Sequence, residues 1–572
     1  MLQSVRRYLP LLLALLCLGT VIPGLFLSFE DSEIWGITSS RRLIDHPFIG
    51  SSAHYKPLFS LMFGTIATIA NSDWSALMGS RWLALTFTAG GLFSLYSLGL
   101  LCMGASRRFS TTILFYALIC TMPLFIVHFP KARSDSISAS FILLAGFLIL
   151  QSEARSTFLR GLIYVCGSAA ALLITPKSID LVAALGVFFW ITEYRHDLEG
   201  PSVPKSKVFH RLIWLLGPAA SLLLIGLIIS REFITKSLTY WIDTYQGVSI
   251  FSRINWISVE RAVVTAPIVS SIIAIGFLAG ILGFRRLGMR EKALVVIGLI
   301  VGGFICIHSQ KFFFFLASRI PFLALGALPG LHLIVEWASE KLSFRAAITA
   351  VALLFIVSLG LTINRLQDYS GFYLRYQKAA YREIESYLDR TEVVRYWDAI
   401  GLFPTRNTIF HYPSPGDRTN EDLLSYVDDS RPTLILRTRK MELLEPFFMG
   451  WLRERYVQIN DEVYVRSITL KPNENCRYSG SELLLAAKEQ MLKSPFTLAL
   501  KPDLNDPWKR VPFGALQGEA AFSADTLTLQ DSSIVLPDCN KEHTRYALTE
   551  AKPWDALPAP AFSQFFGYDG TL

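Results

Sequence analysis

Phe29-Glu30-Asp31-Ser32-Glu33-Ile34-Trp35 begins where the apolar run of residues 8–28 ends, and His54-Tyr55-Lys56-Pro57-Leu58 closes the loop just as the chain turns apolar again. Carboxylates at a membrane boundary cost solvation free energy unless something uses them. Here three fall within four residues, at Glu30, Asp31 and Glu33. An acid cluster at one boundary, with a lysine and a proline at the next, suggests a site that faces a lipid-borne substrate.

The composition around this loop belongs to a polytopic membrane protein rather than a soluble globule. Of 572 residues, 52% are hydrophobic and only 17% charged. The net charge of +8 is no nucleic-acid signature, because most basic residues sit in short loops between apolar runs. Residues 8–28 are too long and uninterrupted for a cleaved signal, so they read as a retained span with Arg6 and Arg7 in the cytoplasm.

A helical span needs roughly 20 apolar residues, and the sequence offers about eleven such runs. They fall at 8–28, 76–103, 110–128, 136–151, 160–175, 178–192, 212–230, 263–284, 293–308, 312–335 and 346–364. The run 57–70, between Pro57 and Asn71, is shorter and reads as a juxtamembrane or re-entrant helix. An odd count puts the N-terminus in the cytoplasm and the C-terminal region outside. Arg107, Arg108, Arg285, Arg286 and Arg290 then lie inside, as the positive-inside rule asks. Lys56, Lys131, Arg133, Lys177 and Lys311 lie outside and need another reason, such as an anionic lipid phosphate.

From residue 365 the character changes. Short β-like runs at Glu392–Trp397, Thr433–Leu436 and Glu462–Val465 alternate with helical patterns at Asn420–Val427 and Met441–Arg453. That alternation predicts a small α/β domain. The expected division is a transmembrane catalytic domain over 1–364 and an extracytoplasmic α/β domain over 365–572. Cys17, Cys102, Cys120, Cys166 and Cys306 lie in or beside apolar runs, where a free thiol is a small hydrophobe. Cys476 and Cys539 are the two cysteines of the polar region and would pair in an oxidising compartment. No cysteine or histidine spacing suggests a metal.

Each charged motif has two readings. The acids at Glu30, Asp31 and Glu33 could supply a catalytic base or could cap a helix over Glu33–Leu43. His54, Tyr55 and Lys56 could bind phosphate, or anchor the helix that Pro57 starts. Arg133 could ligate phosphate while Asp135 caps the next helix or pairs with Arg133; an ordinary charged turn is the alternative. Lys177 could face a cavity or snorkel, and Lys311 with Arg319 flanks a strongly apolar helix start.

The order of these features carries more than any one of them. Asp31, Lys56-Pro57-Leu58, Arg81-Trp82-Leu83, Arg133-Ser134-Asp135 and Thr175-Pro176-Lys177 together resemble GT-C glycosyltransferases that use polyprenyl-phosphate sugars, in the protein O-mannosyltransferase and lipid A aminoarabinose transferase branch. The chain departs from that pattern in having Ser32 after Asp31, one proline after Lys56, no proline after Arg81-Trp82-Leu83, and Pro176 between Thr175 and Lys177. The resemblance implies an inverting enzyme in a bacterial inner membrane, its C-terminal domain periplasmic. The donor would be a polyprenyl-phosphate-linked sugar and the acceptor a glycan, lipid or protein, with no nucleic acid involved. Asp31 would serve as base, with Glu30 and Glu33 as competitors. His54, Tyr55, Lys56, Arg81, Arg133, Asp135, Lys177, Lys311 and Arg319 would hold substrate. No cofactor is expected, and a divalent cation stays open. The rival classes are a lipid-linked sugar transporter or flippase and a non-catalytic envelope assembly protein.

Overall fold

The computed structural model describes residues 31–45, 56–103, 119–153, 156–198, 253–308, 313–341 and 344–367, together with short stretches near residues 15–29, 214–218 and 377–382 and eleven strands between residues 396 and 550. Two compact units divide the chain. One comprises Met1–Leu27, Ser39–Gly371 and Gly570–Leu572; the other gathers Ser28–Thr38 with Phe372–Asp569.

The helical unit is built from apolar runs that end where the sequence supplies a breaker. The helix expected over Glu33–Leu43 is α1 (Asp31–Asp45). Next comes α2 (Pro57–Ile69), whose 13 residues rise about 20 Å, too little to cross a bilayer. Pro57 fits its first turn, where the missing N–H would be unsatisfied anyway. The long helix α3 (Asp73–Met103) follows.

The run 110–128 departs from expectation. Rather than one continuous span, its described part breaks at Met122, which is extended (φ −71°, ψ 121°) ahead of a buried six-residue helix, α4 (Pro123–His128). Pro123 disfavours helical backbone at the residue before it, and this overrides the apolar character of the run. Hydroxyl groups satisfy the break: Thr121 and Ser358 share a hydrogen bond of 2.7 Å, and Thr362 donates to the Thr121 carbonyl.

The remaining helices are α5 (Ser134–Gln151), α6 (Thr157–Ile174), α7 (Ile179–Leu198), α8 (Arg253–Thr265), α9 (Pro267–Leu282), α10 (Met289–Ile307), α11 (Phe313–Lys341) and α12 (Phe344–Gln367). A 3₁₀ turn, Pro176–Ser178, joins α6 to α7. Among the described residues four helices are long and apolar enough to cross a membrane: α3, α5, α6 and the bulk of α11. The chain is a polytopic α-helical membrane protein. The expected spans 8–28 and 212–230 lie largely outside the described residues.

Glycines set the tightest crossings. A methyl group on Gly330 of α11 would overlap the backbone of Gly276 and Gly280 on α9. A methyl on Gly298 of α10 would lie 2.8 Å from the Cα of Gly326, also on α11. Small residues let helix backbones approach closely where lipid supplies no hydrophobic driving force. Helix α11 is thus held at backbone contact on two sides.

In the second unit, β1 (Tyr396–Asp398), β2 (Ile409–Phe410), β3 (Leu434–Leu436), β4 (Tyr456–Asn460) and β5 (Val463–Arg466) form a sheet of order β2-β1-β3-β5-β4. The pairs of β1 with β2 and β3 are parallel, and those of β5 with β3 and β4 antiparallel. The helical patterns at Asn420–Val427 and Met441–Arg453 lie outside the described residues. Beyond residue 470 two three-stranded antiparallel sheets occur. They are β6 (Arg477–Ser479), β10 (Ser533–Val535) and β9 (Thr528–Gln530), and β11 (Tyr546–Glu550), β7 (Phe496–Leu500) and β8 (Lys509–Pro512).

One cysteine reading is corrected. Cys102, Cys166 and Cys306 are free thiols, but Cys120 is disulfide-bonded and does not act as a free small hydrophobe. Cys476 and Cys539 lie outside the described residues.

Candidate functional site

Alternation of the helices places their charged ends in two sets. Arg290 begins α10 and pairs with Glu153, just past the end of α5, while also donating to the Leu101 carbonyl near the end of α3. Arg160, near the start of α6, pairs with Glu193 late in α7 at 2.9 Å. At this end two arginines are thus paired with glutamates. The other end holds the start of α5, the end of α6, the starts of α7 and α11 and the end of α10. With 18 residues, α5 alone separates the two ends by about 27 Å.

At this second end the guanidinium of Arg319 is fully buried. Its Nε donates to Asp180 Oδ2 at 2.9 Å and its Nη2 to Asp180 Oδ1 at 2.8 Å, a two-pronged pair between α11 and α7. Nη2 also donates to the Lys177 carbonyl at 2.8 Å, and Nη1 to Ser318 Oγ at 2.6 Å. The guanidinium carbon lies 3.8 Å from the centroid of the Phe315 ring, which itself packs against the His308 ring at 4.2 Å. Asp135 Oδ1 comes within 3.9 Å of Arg319 Nη1 and accepts no hydrogen bond among the described residues.

Around this pair lie the cations expected to meet an anion. Lys56 precedes α2, Arg133 precedes α5, and Lys177 sits on the 3₁₀ turn after α6. The charges of Lys177, Arg319, Lys56 and Arg133 all act on Asp135. Those of Lys177, Asp135 and Arg133 act on Lys56. Burial, then Lys177, pushes the Lys56 ammonium down to about 7, with Arg133 adding to the shift and Asp135 opposing it. Lys131 and Arg133 are buried, and a tight turn joins them, the Arg133 N–H donating to the Lys131 carbonyl at 2.7 Å. Ser138 of α5 and Ser178 of the 3₁₀ turn share a hydrogen bond, tying the Lys177 turn to α5.

Five sequence candidates are therefore drawn together: Lys56, Arg133, Asp135, Lys177 and Arg319. Arg81 is placed differently. It is buried in α3, where Nη1 donates to the carbonyls of Leu25 (2.8 Å) and Leu27 (2.5 Å) and so ties α3 to the end of the first apolar run. Asp31 opens α1, and Glu33 within α1 is fully buried. Just before them, Gln377 clamps Phe29: the Phe29 N–H donates to Gln377 Oε1 at 2.7 Å, and Gln377 Nε2 donates to the Phe29 carbonyl at 3.2 Å. Glu30, His54, Tyr55 and Lys311 lie outside the described residues. Asp180 escaped the sequence reading. An acid in the first turn of an apolar helix looks like an ordinary N-terminal charge, and its partner lies 139 residues away.

Among the described residues no group of histidine, cysteine, aspartate or glutamate side chains is arranged to hold a metal ion.

No protein-family model and no curated protein matches the chain. Solved structures do. ArnT from Cupriavidus metallidurans in the apo state superposes with a TM-score of 0.50 at 12% identity, covering 81% of this chain and 98% of that one. An apo oligosaccharyltransferase from Archaeoglobus fulgidus gives a TM-score of 0.46 at 12% identity, over 76% of this chain and 70% of that one. AglB from Archaeoglobus fulgidus, an oligosaccharyltransferase in complex with an inhibitory peptide and a dolichol-phosphate, gives 0.45 at 12% identity, over 82% and 75%. The fold shared with ArnT is the GT-C membrane architecture that the sequence resemblance implies.

Proposed function

We propose that this protein is a membrane glycosyltransferase. In this reading it takes a sugar from a polyprenyl-phosphate-linked donor and transfers it to a glycan, lipid or protein acceptor on the external face of a bacterial inner membrane. One observation carries the reading: the charges of Lys56, Arg133 and Lys177, which come from three separate segments of the chain, converge on Asp135 at one end of the bundle. Grouped cations at a membrane boundary suit an anion that a lipid brings there. The fold shared with ArnT and the order of the sequence motifs support the same reading.

The chemistry follows from the groups. The acceptor hydroxyl gives its proton to Asp31, the base that the resemblance implies. The oxygen attacks the anomeric carbon from the face opposite the phosphate, so the configuration inverts. The bond from the anomeric carbon to the phosphate oxygen breaks, and its electron pair leaves with the polyprenyl phosphate. The leaving phosphate gains one negative charge in that step. Lys56, Arg133, Lys177 and Lys311 stabilise this developing charge, which is where fixed cations lower a barrier most.

Purified protein in lipid nanodiscs, given radiolabelled polyprenyl-phosphate sugars and envelope extracts as acceptor, tests this. The expected result is label in the acceptor and one polyprenyl phosphate released per sugar transferred. A transporter would move the intact lipid across a sealed bilayer and release none. An assembly protein would do neither, and either outcome overturns the proposal.

A further inference from the structure

Arg319 has five N–H donors, and four are already committed: two to Asp180, one to the Lys177 carbonyl and one to Ser318. One face of the guanidinium lies against the Phe315 ring. The fifth donor belongs to Nη1, the nitrogen 3.9 Å from Asp135. A guanidinium so occupied has little left to offer an incoming phosphate, and Asp180 already balances its charge. What Arg319 does hold is the main chain of Lys177. The same turn is held from the other side by the Ser138–Ser178 hydrogen bond. The 3₁₀ turn is therefore pinned at consecutive residues by α11 and α5, and the side chain it carries is one of the cations facing Asp135 and Lys56.

We propose that Asp180 and Arg319 are positioning residues rather than substrate ligands: their pair fixes the Lys177 turn so that Lys177 meets a lipid-linked phosphate together with Lys56 and Arg133. This rests on the anion-binding reading given above. It differs from a direct role for Arg319 in the sign of one effect. If Arg319 bound phosphate itself, Asp180→Asn would remove a competing carboxylate and tighten binding. If the pair is a clamp, Asp180→Asn loosens the turn and weakens binding.

The experiment measures binding of undecaprenyl phosphate, with undecaprenol as the uncharged control, to protein in nanodiscs. Wild type should prefer the phosphate; equal binding of the two lipids would defeat the anion-site reading itself and not only the clamp. With the preference established, Asp180→Asn and Arg319→Lys should each weaken phosphate binding about tenfold, equivalent to about 1.4 kcal/mol. Lysine keeps the charge of Arg319 but loses its planar fork. In a Lys177→Met background, Arg319→Lys should add less than about twofold, because the clamp then has nothing to present. Should Arg319→Lys not give monodisperse protein, Ser318→Ala carries the same test. It strips a single guanidinium hydrogen bond and should cost about threefold in wild type and nothing with Lys177→Met. Unchanged or tighter binding by Asp180→Asn, or equal losses in the two Lys177 backgrounds, would overturn the proposal.

Discussion

Raising the pH from about 7 to about 8.5 should weaken the binding of undecaprenyl phosphate about fifteenfold, and Lys56→Arg should remove that dependence. Lys56 lies half-buried ahead of α2, where burial and Lys177 press its ammonium down to about 7. In the free protein about half of Lys56 then carries a proton at pH 7, and only about 3% at pH 8.5. A phosphate dianion binds the protonated form, so each binding event above pH 7 must first recover a proton, and affinity falls with the protonated fraction. The ratio of those fractions gives the fifteenfold. The ligand does not confuse the sign: a phosphate monoester has its second pKa near 6, so over this window it gains charge slightly, which would strengthen binding. Arginine stays protonated throughout, so Lys56→Arg should bind with a nearly flat pH profile. Titration of the lipid into nanodiscs, followed by tryptophan fluorescence at several pH values, reads the effect. A flat profile in wild type, or the same slope in Lys56→Arg, would refute the assignment of Lys56 to the anion.

Three further outcomes are expected. Asp31→Asn should lower turnover by on the order of 10²–10⁴-fold with little change in donor binding, whereas Glu30→Gln and Glu33→Gln keep substantial activity; an active Asp31→Asn beside a dead glutamate variant would move the base along the loop. Arg133→Ala should reduce activity at limiting donor far more than Arg107→Ala, although each removes one positive charge; equal activities would take Arg133 out of the site. Gly330→Leu should lower the melting temperature, since overpacking costs about 1–3 kcal/mol and here the side chain would collide with α9 backbone, and a scan showing no shift would argue against the crossing described.

How much of this was legible in the sequence depends on whether the cause is local. The helix start at Pro57 and the short length of α2 could be read directly, because proline geometry and run length act within a few residues. Lys56, Arg133, Asp135 and Lys177 stood out for the same reason: charge between apolar runs is locally expensive. Pro123 was equally visible, yet the apolar character of the run 110–128 masked the break it makes at Met122. Asp180 and Gln377 were not legible. Each acts on a partner far along the chain, Arg319 and Phe29 respectively, and no local pattern marks such a pairing. The glycines of α9, α10 and α11 were hidden likewise, since a glycine in an apolar helix shows its purpose only once the facing backbone is known. The antiparallel sheets beyond residue 470 are made of three- to five-residue strands, too short for alternation to register.

The glycine contacts also turn α11 into a lever. Gly326 and Gly330 are its fulcrum, and Arg319 rides about 10–16 Å away along the same helix, just beyond Pro321. Tilting this helical arm by about five degrees at the fulcrum swings the guanidinium end by roughly 1 Å, enough to stretch both bonds to Asp180 beyond hydrogen-bond range. Substitutions on α9 and α10 that touch no charge can therefore detune the cation cluster mechanically. In a random-mutagenesis screen, loss-of-function changes should recur at Gly276, Gly280 and Gly298, positions whose chemistry alone would never nominate them.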